Sequence, residues 1–207
     1  IKLGIPSSLQ QMVVSLCMVA VQGLVNSFGT VTMAAFAAGS KIDSLASMPI
    51  TTFSQALATF SGQNIGAWRI DRVKRGIRDT LLMSMALCLL TSVLVFAAGP
   101  HLIRIFLGGD AEGNAAVISQ GIEYLRTIAL FYLIFTIPMT LNGALRGAGD
   151  TTSPLITSSL NLGTRTIVAY ALAPGLGHYA IWVSFPAGWL AGAITPTYRY
   201  LSGVWLS

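Results

Sequence analysis

Apolar residues run through this chain in long stretches, and polar residues either separate the stretches or recur at helical spacing inside them. No Asp, Glu, Lys or Arg occurs in residues 3–40, 44–68, 80–103, 127–145 or 166–198. Crossing about 30 Å of hydrocarbon takes roughly 20 helical residues. Six segments are that long: 5–28, 31–64, 77–98, 117–142, 151–173 and 178–201. Strict two-residue alternation is missing and the runs outlast a barrel strand. Helices, which satisfy their own backbone in lipid, are therefore expected. The predicted fold is all-α: a polytopic six-transmembrane-helix bundle forming a single transmembrane unit over 1–207.

Turn residues mark the joints. Phe28-Gly29-Thr30 divides the first two spans, and Gly66 closes the second ahead of a charged loop. Gly99-Pro100 is expected to end the third, Gly147-Ala148-Gly149-Asp150 the fourth, and Pro174-Gly175-Leu176-Gly177 the fifth. Pro6 suits a first helical turn, whereas Pro49 and Pro138 lie inside spans and should kink them. The 99–116 segment reads as the longest loop on its side, with 100–107 as a short interfacial piece.

Composition agrees with this pattern and removes other readings. Charged residues make up 9% of the 207 and the AVILMFWYC set 54%, against about 25% charge in soluble domains. Mean hydropathy is +0.71. A disordered tail, a nucleic-acid module and most soluble enzymes are excluded. The net charge of +5 needs no anionic partner, because basic residues hold cytoplasmic loops in place. Lys2, Arg69, Arg72, Lys74, Arg75, Arg78, Arg146 and Arg199 fall on one side of an even-numbered topology, and Arg104 and Arg126 on the other. Both chain ends are thus expected in the cytoplasm of a bacterial cell, with the protein integral to the cytoplasmic membrane. Arg126 has Glu123 one turn earlier as a possible partner. Ile1 is not a start residue and no signal peptide is read, so the chain is expected to be an excerpt of a longer protein.

Ionisable groups at membrane depth are functional hypotheses by default. Lys41, Asp43 and Arg165 qualify. Lys41 and Asp43 point to different faces, and Lys41 can snorkel to the interface. Asp43 either pairs with Arg165 across helices or sits hydrated near the outer headgroups. The second helix adds Ser47, Thr51, Gln55, Thr59 and Gln63 at a spacing of four, a stripe that drifts about 40° per step. The first helix aligns Gln11, Ser15, Gln22 and Asn26, and the fifth aligns Ser158, Asn161 and Arg165. Any single Gln or Ser reads as interhelical glue. The three stripes together read as a wet cavity whose candidate lining is Gln22, Asn26, Asp43, Thr51, Gln55, Asn161 and Arg165.

Enzyme chemistry has little to work with. His101 and His178 are expected in loops, one clear intramembrane carboxylate is present, and Cys17 and Cys88 lie in apolar runs where a thiol is a small hydrophobe. No catalytic residue, metal site or cofactor is expected. The glycine-rich 143–150 stretch follows a membrane helix rather than a strand, so it is not a phosphate loop.

Several motifs resemble one family. Leu3-Gly4-Ile5-Pro6, Asn26-Ser27-Phe28-Gly29, Met33-Ala34-Ala35, Gly62-Gln63-Asn64-Ile65-Gly66-Ala67 and Leu145-Arg146-Gly147-Ala148-Gly149-Asp150-Thr151 occur in that order. Together they are similar to the multidrug and toxic compound extrusion (MATE) transporters, in particular the C-terminal six-helix lobe of the twelve-helix fold. On that resemblance Gly66, Arg72, Arg146, Gly147 and Asp150 belong to cytoplasmic loop motifs. It also implies an N-terminal six-helix lobe of the same polypeptide as partner, together with the lipid bilayer and small organic substrates. The implied activity is export of organic, often cationic, drugs or toxic metabolites by alternating access, driven by H⁺ or Na⁺. Some members carry carboxylates in the first and fourth helices of this lobe, near Val14 and Phe135 here, both apolar. The resemblance therefore puts the coupling ion mainly in the N-terminal lobe. Two alternatives stay open: a lipid-linked oligosaccharide flippase of the same superfamily, and a non-transporting membrane scaffold.

Overall fold

The structure is a computed structural model that describes residues 4–107, 115–203 and 205. Lys2, Leu3 and the centre of the predicted 99–116 loop lie outside the described residues. The helices are α1 (Gly4–Ser27), α2 (Thr30–Gly66), α3 (Ile70–Phe106), α4 (Ala115–Gly147), α5 (Thr152–Leu176) and α6 (Tyr179–Ser202).

Two expected breaks are helical instead. The cluster Arg69–Asp79 is not a loop, because α3 starts at Ile70. Lys and Arg are good helix formers, and Val73 and Ile77, four apart, bury against Leu57, Leu141, Leu145 and Trp205. Asp71 in the first turn suits the positive end of the helix dipole. The actual connection between α2 and α3 is the short turn at 67–69, where Trp68 takes φ 56° and is 90% exposed. Gly99-Pro100 likewise fails to end α3, which continues to Phe106 and carries His101 within it. Packing outweighs the lost hydrogen bond here. Ile103 is fully buried against α4, where a Cβ on Gly121 would lie 2.7 Å from its Cδ1. Pro174 also lies within its helix, α5.

α4 is the hub of the bundle and packs against α2, α3 and α6, while α5 packs on α6 and α1. In lipid, helices associate through close packing and interhelical hydrogen bonds rather than hydrophobic exclusion. Both devices are present. Gly143 and Gly147 of α4 face α2 so closely that an added Cβ would strike the carbonyls of Ser54 and Ala58. Gly188 and Gly192 of α6 serve α5 in the same way, and a Cβ at Gly188 would lie 2.7 Å from the Asn161 carbonyl oxygen. Hydroxyls of α2 and α3 donate to carbonyls of α4, Ser54 to Met139 at 2.6 Å and Ser92 to Ala129 at 2.7 Å. The outer face of α3 exposes Leu82, Met83, Leu89, Leu90, Val93 and Leu94, a surface suited to acyl chains. Among the described residues α3 and α4 are long and apolar enough to cross a membrane on that basis alone.

Candidate transport cavity

One face of α2 presents Ser40, Asp43, Ser44 and Ser47, at helical spacing, to a cavity of about 240 Å³. Phe36 of the same helix, Met18 of α1, Tyr124, Tyr132 and Phe135 of α4, Arg165 of α5, and Phe185 and Trp189 of α6 complete the wall. The aromatic part is continuous: Tyr124 lies 5.6 Å from Phe185, and Phe135 lies 5.0 Å from Trp189, ring centre to ring centre. Glycines position these rings. Gly39 leaves room for the ring of Tyr124 against α2, since a Cβ there would overlap it.

Asp43 and Arg165 share this cavity without touching. The Tyr132 hydroxyl donates to Asp43 Oδ1 at 2.7 Å, which fixes the carboxylate to the α2–α4 pair. The Arg165 guanidinium carbon sits 3.3 Å from the centre of the Phe185 ring, a cation–π contact that fixes it to the α5–α6 pair. Among the described residues the ion pairs closer than 4.0 Å are Arg78–Asp79, His178–Glu123 and Arg199–Asp150. Asp43 and Arg165 form none. Arg165 Nε is buried without a hydrogen-bond partner.

The remaining candidate positions fall elsewhere. Gln22 and Asn26 are exposed on α1 and bond to each other, Nε2 to Oδ1 at 2.9 Å. Thr51 bonds back to the Met48 carbonyl, and Gln55 is exposed. The four-residue stripe thus leaves the cavity after Ser47, as its drift around the helix requires. Asn161 lies one turn before Arg165, at the close approach of α6 through Gly188 and Gly192. Lys41 is exposed, beside Phe106 and away from Asp43. Sequence reasoning missed Phe36, Tyr124, Tyr132, Phe185 and Trp189 and named Phe135 only as an apolar position, because an aromatic residue in an apolar helix carries no mark of which neighbour it faces.

The loop motifs form a joint at the charged end of the bundle. Arg146 donates from Nη2 to Ser54 Oγ at 3.1 Å, and Gly147 makes the close contact with α2. Gly149 takes φ 86°, which turns the chain toward α5. Asp150 Oδ1 accepts the first two amides of α5, Thr152 at 3.1 Å and Ser153 at 3.0 Å, and the carboxylate pairs with Arg199 at the end of α6 at 2.9 Å. Gly66 ends α2, and Arg72 is exposed on the first turns of α3. At the opposite end Glu123 pairs with His178 at 3.1 Å rather than with Arg126.

A bundle of apolar helices that encloses a small, partly charged cavity is the architecture of a membrane-transporter lobe. The MatE family profile matches residues 6–171, and the chain belongs to that family, whose members are transporters and not enzymes. It is 30% identical over 209 residues to the probable multidrug resistance protein YpnP of Bacillus subtilis (strain 168), covering 99% of this chain and 45% of that protein. Its fold matches the outward-facing conformation of a multidrug resistance MATE family transporter of the MOP superfamily. There the TM-score is 0.87 at 20% identity, with 98% of this chain and 46% of that one covered. The inward-facing conformation matches with a TM-score of 0.87 at 18% identity, covering 99% of this chain and 47% of that one. The chain spans a little under half the length of the curated relatives it matches. The flippase alternative is not favoured.

Proposed function

We propose that this chain forms one six-helix lobe of a cation-coupled antiporter that exports organic, often cationic, compounds by alternating access. The observation that carries the reading is the cavity: a carboxylate held by Tyr132 and faced by aromatic rings is a receptor for a cationic nitrogen in a low-dielectric site. Equal fold similarity to an outward- and an inward-facing transporter supports a lobe that moves as a rigid body against a second lobe. The packed α2–α4 and α5–α6 contacts supply the required stiffness. The coupling ion, H⁺ or Na⁺, is assigned chiefly to the partner lobe, and Asp43 is this lobe's contribution of negative charge. The basic end of the bundle, with Arg69 to Arg78, Arg146 and Arg199, is placed in the cytoplasm of a bacterial cell.

Ethidium efflux from an efflux-deficient host expressing the full-length protein tests the reading. Wild type should export the dye, and Asp43→Asn should reduce export roughly tenfold, the scale of one lost charge-assisted contact. Wild-type efflux in that variant at every pH would remove Asp43 from the mechanism. Absence of efflux for several cations in wild type would overturn the transport reading.

A further inference from the structure

A groove on the back of α4 takes no part in transport as proposed above. It measures about 700 Å³ and is lined by Phe96 of α3, Ser119, Arg126, Thr127 and Leu130 of α4, and Tyr179 of α6. Tyr124, Tyr132 and Phe135 of the same helix face the transport cavity instead. At about 100° per residue, Arg126 is turned roughly 200° around α4 from Tyr124, and Leu130 roughly 240°. A second lobe that closes over the cavity therefore leaves this groove to the bilayer. Its chemistry changes with depth. Leu130 and, three residues on, Leu133 are exposed on α4, and Phe96 extends the exposed apolar face of α3. Arg126 lies 20 positions before Arg146 by subtraction of their numbers. That is about 30 Å of helix, the thickness of the hydrocarbon core. With Arg146 at the basic end of the bundle, Arg126 stands at the opposite membrane boundary.

Among the described residues Arg126 joins none of the ion pairs. Glu123, one turn before it, is taken up by His178 at 3.1 Å. The guanidinium is thus an uncompensated charge at headgroup level, set above an apolar strip. From this arrangement we infer that the groove binds one anionic glycerophospholipid from the leaflet opposite the basic end, with its phosphate on Arg126 and an acyl chain along Phe96, Leu130 and Leu133. A guanidinium fits this role because its planar fork donates to two phosphate oxygens at once. Tyr179, the first residue of α6, brings the amphipathic ring favoured at a membrane boundary. Its hydroxyl accepts from Thr127 at 3.4 Å, which leaves its own proton to donate to the headgroup. Charge selects among lipids. Phosphatidylglycerol brings one negative charge to a site with one unpaired positive charge. Phosphatidylethanolamine brings the same phosphate but adds an ammonium beside the guanidinium.

Native mass spectrometry of the purified, delipidated full-length protein, titrated with dioleoylphosphatidylglycerol or dioleoylphosphatidylethanolamine, tests the site. Wild type should bind one phosphatidylglycerol at least about tenfold more tightly than phosphatidylethanolamine, the scale of one charge-assisted contact. Arg126→Gln should erase that preference. Leu130→Asn should weaken both lipids, because it places an amide under the acyl chain. Arg104→Gln, which removes another exposed charge from α3, should leave the preference as it is. Glycerophosphoglycerol, the same headgroup without chains, should not displace the lipid. Equal affinity for the two lipids in wild type, a preference that survives Arg126→Gln, or an equal loss in Arg104→Gln would overturn the assignment. Displacement by glycerophosphoglycerol would do so too, since it would mark a free-phosphate site rather than a lipid site. If Arg126→Gln does not fold, the wild-type ratio, Leu130→Asn and Arg104→Gln still decide. The site depends on the membrane placement of α3, α4 and α6 and not on transport, so a protein without ethidium efflux would still bind the lipid.

Discussion

Gly147 illustrates how much a single position can decide in a membrane bundle. It belongs to a loop motif, yet it works by bringing the α4 backbone against the Ala58 carbonyl of α2. Backbone cannot step aside as a side-chain tip can. Gly147→Val should therefore destabilise the lobe by about 1–3 kcal/mol, seen as a lower melting temperature in detergent. Gly163→Ala, with open space around it, should leave melting unchanged or raise it slightly; equal losses in both variants would refute the packing explanation. Asp150 acts through electrostatics and capping instead. It accepts the opening amides of α5 and holds Arg199, so Asp150→Ala should cost about 1–2 kcal/mol in the same assay. Stability unchanged from wild type would reduce the motif to a sequence signature without structural work.

At the scale of elements, α3 shows how amphipathic pattern overrules a loop reading. Seven charges in eleven residues suggested a solvated connection, but Ile70, Val73 and Ile77 at helical spacing give the segment an apolar stripe. That stripe seats on α2, α4 and Trp205, whose indole also donates to the Tyr200 carbonyl. Ile77→Ala removes a buried anchor and should lower stability by about 2–4 kcal/mol. Loss well below that range, measured by thermal unfolding, would mean that the first turns of α3 are not held by this contact. α2 carries the converse lesson. Its four-spaced polar stripe was legible in the sequence, but only Asp43 and Ser47 of it reach the cavity. Ser40 and Ser44 join them because a helix face repeats at three and four residues together.

For the whole molecule, the distribution of basic residues predicts a defined orientation. With Cys17 and Cys88 replaced by serine, Arg72→Cys should react with a membrane-impermeant maleimide only after the cytoplasmic side is opened. Arg104→Cys should react in intact cells. The reverse pattern would invert the topology and, with it, the direction in which the cavity must open. Both positions are exposed, so burial does not confound the labelling.

Length of apolar runs and most turn residues were enough to specify six helices and their membrane setting, because lipid leaves the backbone few choices. Those are one-dimensional properties. Tertiary structure alone decided which polar groups meet. Gln22 and Asn26 satisfy each other locally, whereas Asp43 and Arg165, 122 positions apart by subtraction of their numbers, face one cavity because α4 and α6 hold their helices at a set rotation. Helix rotation is fixed by glycine contacts and aromatic packing between segments distant in sequence, and no periodicity within a single helix encodes it.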